Sequence, residues 1–288
     1  MNLEQTIERI QPLCEESMKG ARHRFSNIAI PLGSLGLLQD AIIQLAGIER
    51  RAKPEIGKRA VVVFCADNGV VAQGVTQCGQ EVTAIVTENL SRKQTTVCLM
   101  AEKAGVDVIP VDIGVAVDVH GEKIRQRKIM YGTRDMTEEP AMTREQAIRA
   151  IEVGISMAEE CRENGYQLLC VGEMGIGNTT STAAVTAAML GLPAEAVTGR
   201  GAGLSSEGLQ RKVDAIRRAL ARHQPDPSDP IDVLHKVGGL DIAGMVGLYL
   251  GGAACGLPVV VDGVIACAAA LLAARLCPAA RGYMLVSH

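Results

Sequence analysis

The 288 residues include no tryptophan, two phenylalanines and four tyrosines, so aromatics make up only 2% of the chain. With 48% apolar residues and so few rings, the core must be aliphatic, built from Val, Ile, Leu and Ala. No basic block stands out and the formal charge is −3, which argues against a nucleic-acid partner. The nine cysteines form no CxxC pair, and Cys65, Cys170, Cys255 and Cys267 sit inside apolar runs. Buried, reduced thiols of a cytoplasmic protein fit that pattern better than disulfides or zinc. The histidines at 23, 120, 223, 235 and 288 show no ligand spacing, so no metal is expected. The charged N-terminus lacks a signal-peptide apolar region, and the chain has no obvious repeat or low-complexity linker. One uncharged stretch, 242–261, has the length of a membrane span and carries Gly247 and Gly251 as a GxxxG. Its five glycines, Pro258 and the flanking Asp241 and Asp262 fit a buried helix followed by a buried strand better.

The chain does contain a regular alternation of elements. Helices are expected over 3–19, 34–50, 80–91, 94–104, 143–164, 178–190, 206–222, 230–237, 240–254 and 263–276. Thr143 with Gln146 forms a capping-box signature at the start of one of them. Strands are expected over 59–66, 106–112, 166–173, 258–262 and 283–288. Residues 114–142 read as irregular and polar, with KIRQRK as a solvated charged face. Strands separated by helices predict an α/β fold with a doubly wound, mostly parallel sheet. In such sheets ligands bind outside the carboxyl ends of the strands. Those ends read Asp67-Asn68-Gly69, Asp112-Ile113-Gly114, Glu173-Met174-Gly175, Asp262-Gly263 and Ser287-His288.

Three glycine-rich stretches follow strands or precede helices. In GEMGIGNTTST, Gly175 and Gly177 allow a tight turn, while Asn178 and Thr179 open a helix whose N–H groups suit an anion. The pattern matches neither GxxxxGK[ST] nor GxGxxG, and a plain βα turn with an N-cap explains it equally well. In TGRGAGLSSEGLQRK, Gly201 and Gly203 precede a helix carrying Lys212, which gives either a second grip on the same phosphate or a loop with a solvated lysine. In ADNGVVAQGVTQCGQEVT, Asp67 and Asn68 end a strand and Gln80 stands where a helix begins. The single Asp262 does not match the paired acids of pyrophosphate-dependent phosphoribosyltransferases, and Ala266 and Cys267 stand where their hydroxyls would be wanted.

As an ordered set, PLGSLGLLQDAIIQLAGIERRAKP, VVVFCADNGVVAQGVTQCGQEVT, GTRDMTEEPAMT, GEMGIGNTTSTAAV, TGRGAGLSSEGLQRK and VGGLDIAGMVGLYLGGAACGLPVVVDG resemble the nicotinate-nucleotide–dimethylbenzimidazole phosphoribosyltransferases of cobalamin lower-ligand synthesis. The resemblance implies transfer of phosphoribosyl from nicotinate mononucleotide to a benzimidazole nitrogen, giving nicotinate and α-ribazole 5′-phosphate. It implies no cofactor, small-molecule partners only, a homodimer, and a small helical subdomain beside a Rossmann-like α/β domain. We place that boundary at 1–30 and 31–288. By matching motifs, Gly175, Gly177, Asn178, Thr179, Gly201, Gly203 and Lys212 are expected to hold the phosphate. Gln80 is expected near the base and Glu173 by the ribose. The family's general-base glutamate is expected a few residues past Ser287-His288, beyond these 288 residues. A nucleotide- or base-binding relative impaired in catalysis, or a transferase for another aromatic acceptor, are the alternatives.

Overall fold

The computed structural model describes residues 1–31 and 33–287. Helices α1 (Leu3–Arg9), α2 (Glu15–Ser26) and α3 (Leu37–Glu49) precede the first strand, β1 (Arg59–Ala66). Then come α4 (Glu81–Ser91), α5 (Thr96–Ala104), β2 (Asp107–Gly114) and β3 (Arg125–Gln126). Helix α6 (Arg144–Glu163) leads into β4 (Leu168–Met174), α7 (Asn178–Leu190), α8 (Ala194–Val197), α9 (Ser206–His223) and α10 (Pro230–Val237). The chain continues through α11 (Leu240–Cys255), β5 (Val259–Val261), α12 (Gly263–Leu276) and β6 (Met284–Val286).

All six strands are parallel, in the order β3-β2-β1-β4-β5-β6. That is the order of doubly wound dinucleotide-binding sheets, and it puts the switch point between β1 and β4. Strand β1 is central, and its β-branched run is buried on both faces: Val62 and Phe64 join the large core, Val63 and Cys65 a smaller one under α4 and α5. Each aliphatic side chain so buried contributes ~1.5–3 kcal/mol. Helix α11 is buried around its whole circumference and lies against α6 at backbone contact. A Cβ on Gly247 would sit 1.8 Å from the Ile151 carbonyl oxygen, so the GxxxG serves helix packing within the core. No helix among the described residues is long and apolar enough to cross a membrane.

The structure corrects four local expectations. The helix expected over 3–19 is two helices, because Pro12 excludes the helical conformation just before it and Ile10 is already extended. The irregular segment 114–142 contributes β3, the edge of the sheet. KIRQRK is not wholly solvated: Lys128 turns inward to Asp112 at 3.2 Å, and Arg125 pairs with Glu160 at 2.7 Å. The last strand ends at Val286, and His288 lies outside the described residues. The Thr143–Gln146 capping box forms as expected. At the N-terminus, α1 packs on α6 and α11, with Met1 paired to Glu159 at 3.0 Å. Helix α2 instead pairs with α3 around Ala21, Ile43 and Ala46.

Candidate active site

The β4–α7 turn stands at the switch point, and its residues face β1, α9 and α11 at once. Glu173 is the next-to-last residue of β4, in register with Phe64 of β1. Gly175 follows, and a Cβ there would come 2.4 Å from the Ala66 carbonyl and 2.7 Å from Asp241 Oδ2, so only glycine permits the approach. Gly177, with φ +93°, caps α7, and Asn178 is its first residue. The Asn178 carboxamide nitrogen donates to Glu173 Oε2 and, at 2.9 Å, to Asp241 Oδ2. Ser181, one turn on, donates to Asn68 Oδ1 at 2.8 Å, while the Ile176 amide donates to Thr83 Oγ1 at 3.1 Å. The turn is therefore pinned to the ends of β1 and α4 as well as to α11.

Asp67 and Asp241 are buried and Glu173 is half-buried, with few compensating charges. Burial pushes the Glu173 carboxyl up, and the Asn178 hydrogen bond only partly opposes this. Asp241, fully buried, is pushed up to about 7 by burial and by the neighbouring Glu173 charge. Asp67 is also raised by burial; its Oδ2 accepts from the Ala116 amide at 2.8 Å. Asp67 Oδ1 and Asn68 Nδ2 are buried without a hydrogen-bond partner among the described residues.

On the other side of the same turn the charge is positive. Lys212 of α9 is only 1% exposed, and its ammonium donates to Thr179 Oγ1 at 2.7 Å. Burial alone pulls it down to about 8. The bend at Gly201 closes over the pair: with φ +55°, a Cβ there would lie 3.1 Å from Thr179 Oγ1 and 3.5 Å from Lys212 Nζ. The two glycine-rich stretches thus meet through Gly201, Thr179 and Lys212. Gly203 stands apart, its carbonyl accepting from Gln77. The start of α9 is capped by its own Ser205, whose Oγ accepts from the Gly208 amide at 3.1 Å.

Glu173 also borders a cavity of about 550 Å³. Its walls are mostly apolar, with Val61 and Val63 of β1, Val86 and Leu90 of α4, Met174 and Ala266, while Asp262 and Ser287 supply polar groups. Gln80, at the start of α4, is turned to the β1 end, where its amide donates to the Asn68 carbonyl at 3.2 Å. Sequence reasoning missed Asp241, treating it only as the border of an apolar stretch. The available signal was an acid just after Gly238-Gly239 and inside an otherwise uncharged helix. An acid there must be buried and must find a polar partner.

Residues 10–288 match the family described as Phosphoribosyltransferase, DBI_PRT. The chain is 46% identical over 284 residues to the nicotinate-nucleotide–dimethylbenzimidazole phosphoribosyltransferase of Acetivibrio thermocellus, covering 99% of this chain and 81% of that protein. It is 49% identical to the Chloroflexus aggregans protein of the same name, again over 99% of this chain and 81% of the relative. The crystal structure of CobT from Thermus thermophilus superposes with a TM-score of 0.91 at 42% identity, covering 95% of this chain and 82% of that one.

Proposed function

The chain belongs to the DBI_PRT phosphoribosyltransferase family, and from that premise we propose that it moves the phosphoribosyl group of nicotinate mononucleotide onto 5,6-dimethylbenzimidazole. The products are nicotinate and α-ribazole 5′-phosphate. The observation that carries this reading is the pairing of opposite charges across one turn. Lys212, buried with no carboxylate partner among the described residues, stands at Thr179, and the half-buried Glu173 stands six residues back. A phosphoribosyl group has the complementary polarity, with a dianionic end and a carbon that becomes positive as the glycosidic bond breaks.

The phosphate lies between the start of α7, at Gly175, Gly177, Asn178 and Thr179, and the bend at Gly201, with Lys212 as counter-charge and Gly203 turned to Gln77. The ribose lies beneath Glu173, whose carboxylate stabilises the oxocarbenium character of the transition state. The departing pyridinium nitrogen leaves neutral, so no cation is required to balance a leaving anion. The acceptor base occupies the apolar cavity that Glu173 borders; Gln80 does not line it and stands instead at the Asn68 carbonyl. The general base implied by the family resemblance is a different carboxylate, so Glu173 is assigned to the ribose. The reading extends to a cytoplasmic homodimer acting on small molecules; sedimentation at the monomer mass would remove the dimer from it.

The test is to incubate the protein with nicotinate mononucleotide and dimethylbenzimidazole and to look chromatographically for α-ribazole 5′-phosphate. Product from adenine or a phenol in preference to the benzimidazole reassigns the acceptor. Calorimetric binding of the nucleotide with no product from any acceptor replaces the transferase with a binding protein.

A further inference from the structure

Asp241 has no part in the scheme above, yet it is the most completely enclosed acid of the site and it touches the residue that holds Glu173. We propose that Asp241 is a positioning residue for Glu173: the two carboxyl groups, bridged by the Asn178 carboxamide, act as one unit that shares a single proton and keeps the Glu173 carboxylate fixed at the cavity wall. The kinetic part of this inference rests on the phosphoribosyl-transfer reading; the proton-sharing part does not.

The geometry supports a unit. A primary amide has two hydrogens, and Asn178 spends them on the two acids, one on Glu173 and one on Asp241. Neither carboxyl can therefore turn without releasing the group that orients the other. The second oxygen of Asp241 accepts from the Ile242 amide at 2.9 Å, so its plane is fixed at the head of α11. Asp241 is not among the residues bordering the cavity, whereas Glu173 is, so Asp241 acts through Asn178 and Glu173 and not on a bound molecule.

The charges support a shared proton. No Lys, Arg or His pairs with either acid among the described residues. The charged group acting on Asp241 is Glu173 from β4; Cys65 from β1 interacts with both acids and with Asp112 of β2, which already has Lys128 at 3.2 Å. Cys65 is a neutral thiol, pushed up to about 12 chiefly by burial. Helix α6 meets α11 with Ile151, Gly154, Ile155 and Ala158, which carry no charge. Two carboxylates within reach of one nitrogen, in such surroundings, cannot both ionise near neutrality. The proton belongs on Asp241, which is wholly enclosed and away from the cavity, and the negative charge on Glu173, which borders the cavity and where an oxocarbenium can use it. A helix-capping role alone would give the reverse, because an acid in the first turn of a helix is favoured in its charged form.

The experiment has two arms. In the first, the protein carries ¹³C-labelled Asp and Glu carboxyls and is titrated by NMR without substrate. One Asp carboxyl should titrate near neutrality, disappear in Asp241→Asn, and move toward the ordinary carboxylate range in Glu173→Gln. If every Asp carboxyl titrates in the ordinary range, the inference is overturned. This arm reads the pair whatever reaction the protein catalyses, and if Asp241→Asn does not fold, the Glu173→Gln displacement still makes the assignment. In the second arm, folded Asp241→Asn is assayed over pH 6 to 9. An asparagine offers one acceptor where Asp241 uses two, so Glu173 is released. We expect kcat to fall at least 10-fold with KM within about 2-fold, and the neutral-range inflection of kcat to vanish. A variant with wild-type kcat, or with an unaltered inflection, would show that Asp241 serves only to hold α11.

Discussion

Residues 178 and 179 are neighbours in the chain, yet they serve opposite sites. Asn178 holds two acids, Glu173 and Asp241, and Thr179 holds a lysine, Lys212. Burial acts on both sites in the same sense and with opposite result, since it favours whichever form is neutral. It raises Asp241 to about 7 and lowers Lys212 to about 8. The difference lies in the remedy. The acids have an amide between them and can share a proton, whereas the lysine has only a hydroxyl and lacks an opposite charge. The acidic side is therefore internally satisfied, and in the proposed function it is directed at chemistry while an anion completes the basic side. Placing both on consecutive residues of one helix start fixes the spacing between the two sites by covalent geometry.

The largest effect should come from the acidic side. Glu173→Gln keeps the shape and the Asn178 contact but removes the charge that the proposed function assigns to the ribose. Because stabilisation of developing charge by a preorganised group is typically worth ~10²–10³-fold in kcat, we expect a loss of that size with the nucleotide KM nearly unchanged. Steady-state kinetics at saturating acceptor give the answer, and a variant that loses affinity while keeping kcat would move Glu173 from the ribose to the binding of the ground state.

The basic side should break differently. Lys212→Met preserves the stem and removes the ammonium. The nucleotide should bind about 10-fold more weakly, in line with ~1.5–3 kcal/mol for a hydrogen bond to a charged group, and kcat should change less. Stability should move the other way. A lysine lowered from its ordinary value to about 8 contributes stability above its unfolded pKa that is lost as pH falls through 8. At pH 7 the wild-type therefore carries the full cost of a buried ammonium and the methionine variant does not, so its Tm should be higher. That gain should shrink as pH rises from 8 toward 10. Melting curves across this range decide it; a lower Tm for the variant at pH 7 would mean that Lys212 is already paired in the free protein.

The difference between the two sides also governs what could be read in advance. Helices such as Asn178–Leu190 and Pro230–Val237 were legible to the residue, because glycine or proline marks their ends and their periodicity is local. The glycine bend at 201 and Lys212 were visible as a motif, although their contact with Thr179 depends on how α7 and α9 pack. Asp241 was not legible as a site residue. Its partner is 63 positions away, and its meaning depends on α11 lying over the end of β4. Pro12 was overlooked in an otherwise helical pattern, and β3 was too short for any periodicity to announce it.

The smallest effect tests how closely the two glycine-rich stretches cooperate. Gly201 has φ +55°, a conformation that costs an L-residue roughly 1–2 kcal/mol. In Gly201→Ala the new methyl would also stand 3.1 Å from Thr179 Oγ1 and 3.5 Å from Lys212 Nζ, close enough to shift the bend by a few tenths of an ångström but not to block folding. We expect a Tm lower by a few degrees and a nucleotide KM raised about 3-fold, with kcat and the acceptor KM unchanged, because the methyl faces Thr179 and Lys212 and not Glu173. The matching substitution Gly203→Ala, at φ +106° beside Gln77, should cost similar stability but leave the nucleotide KM alone. If the two alanine variants affect KM equally, the bend acts as one flexible strap; if only Gly201→Ala does, the contact runs through Thr179 and Lys212 as the distances indicate.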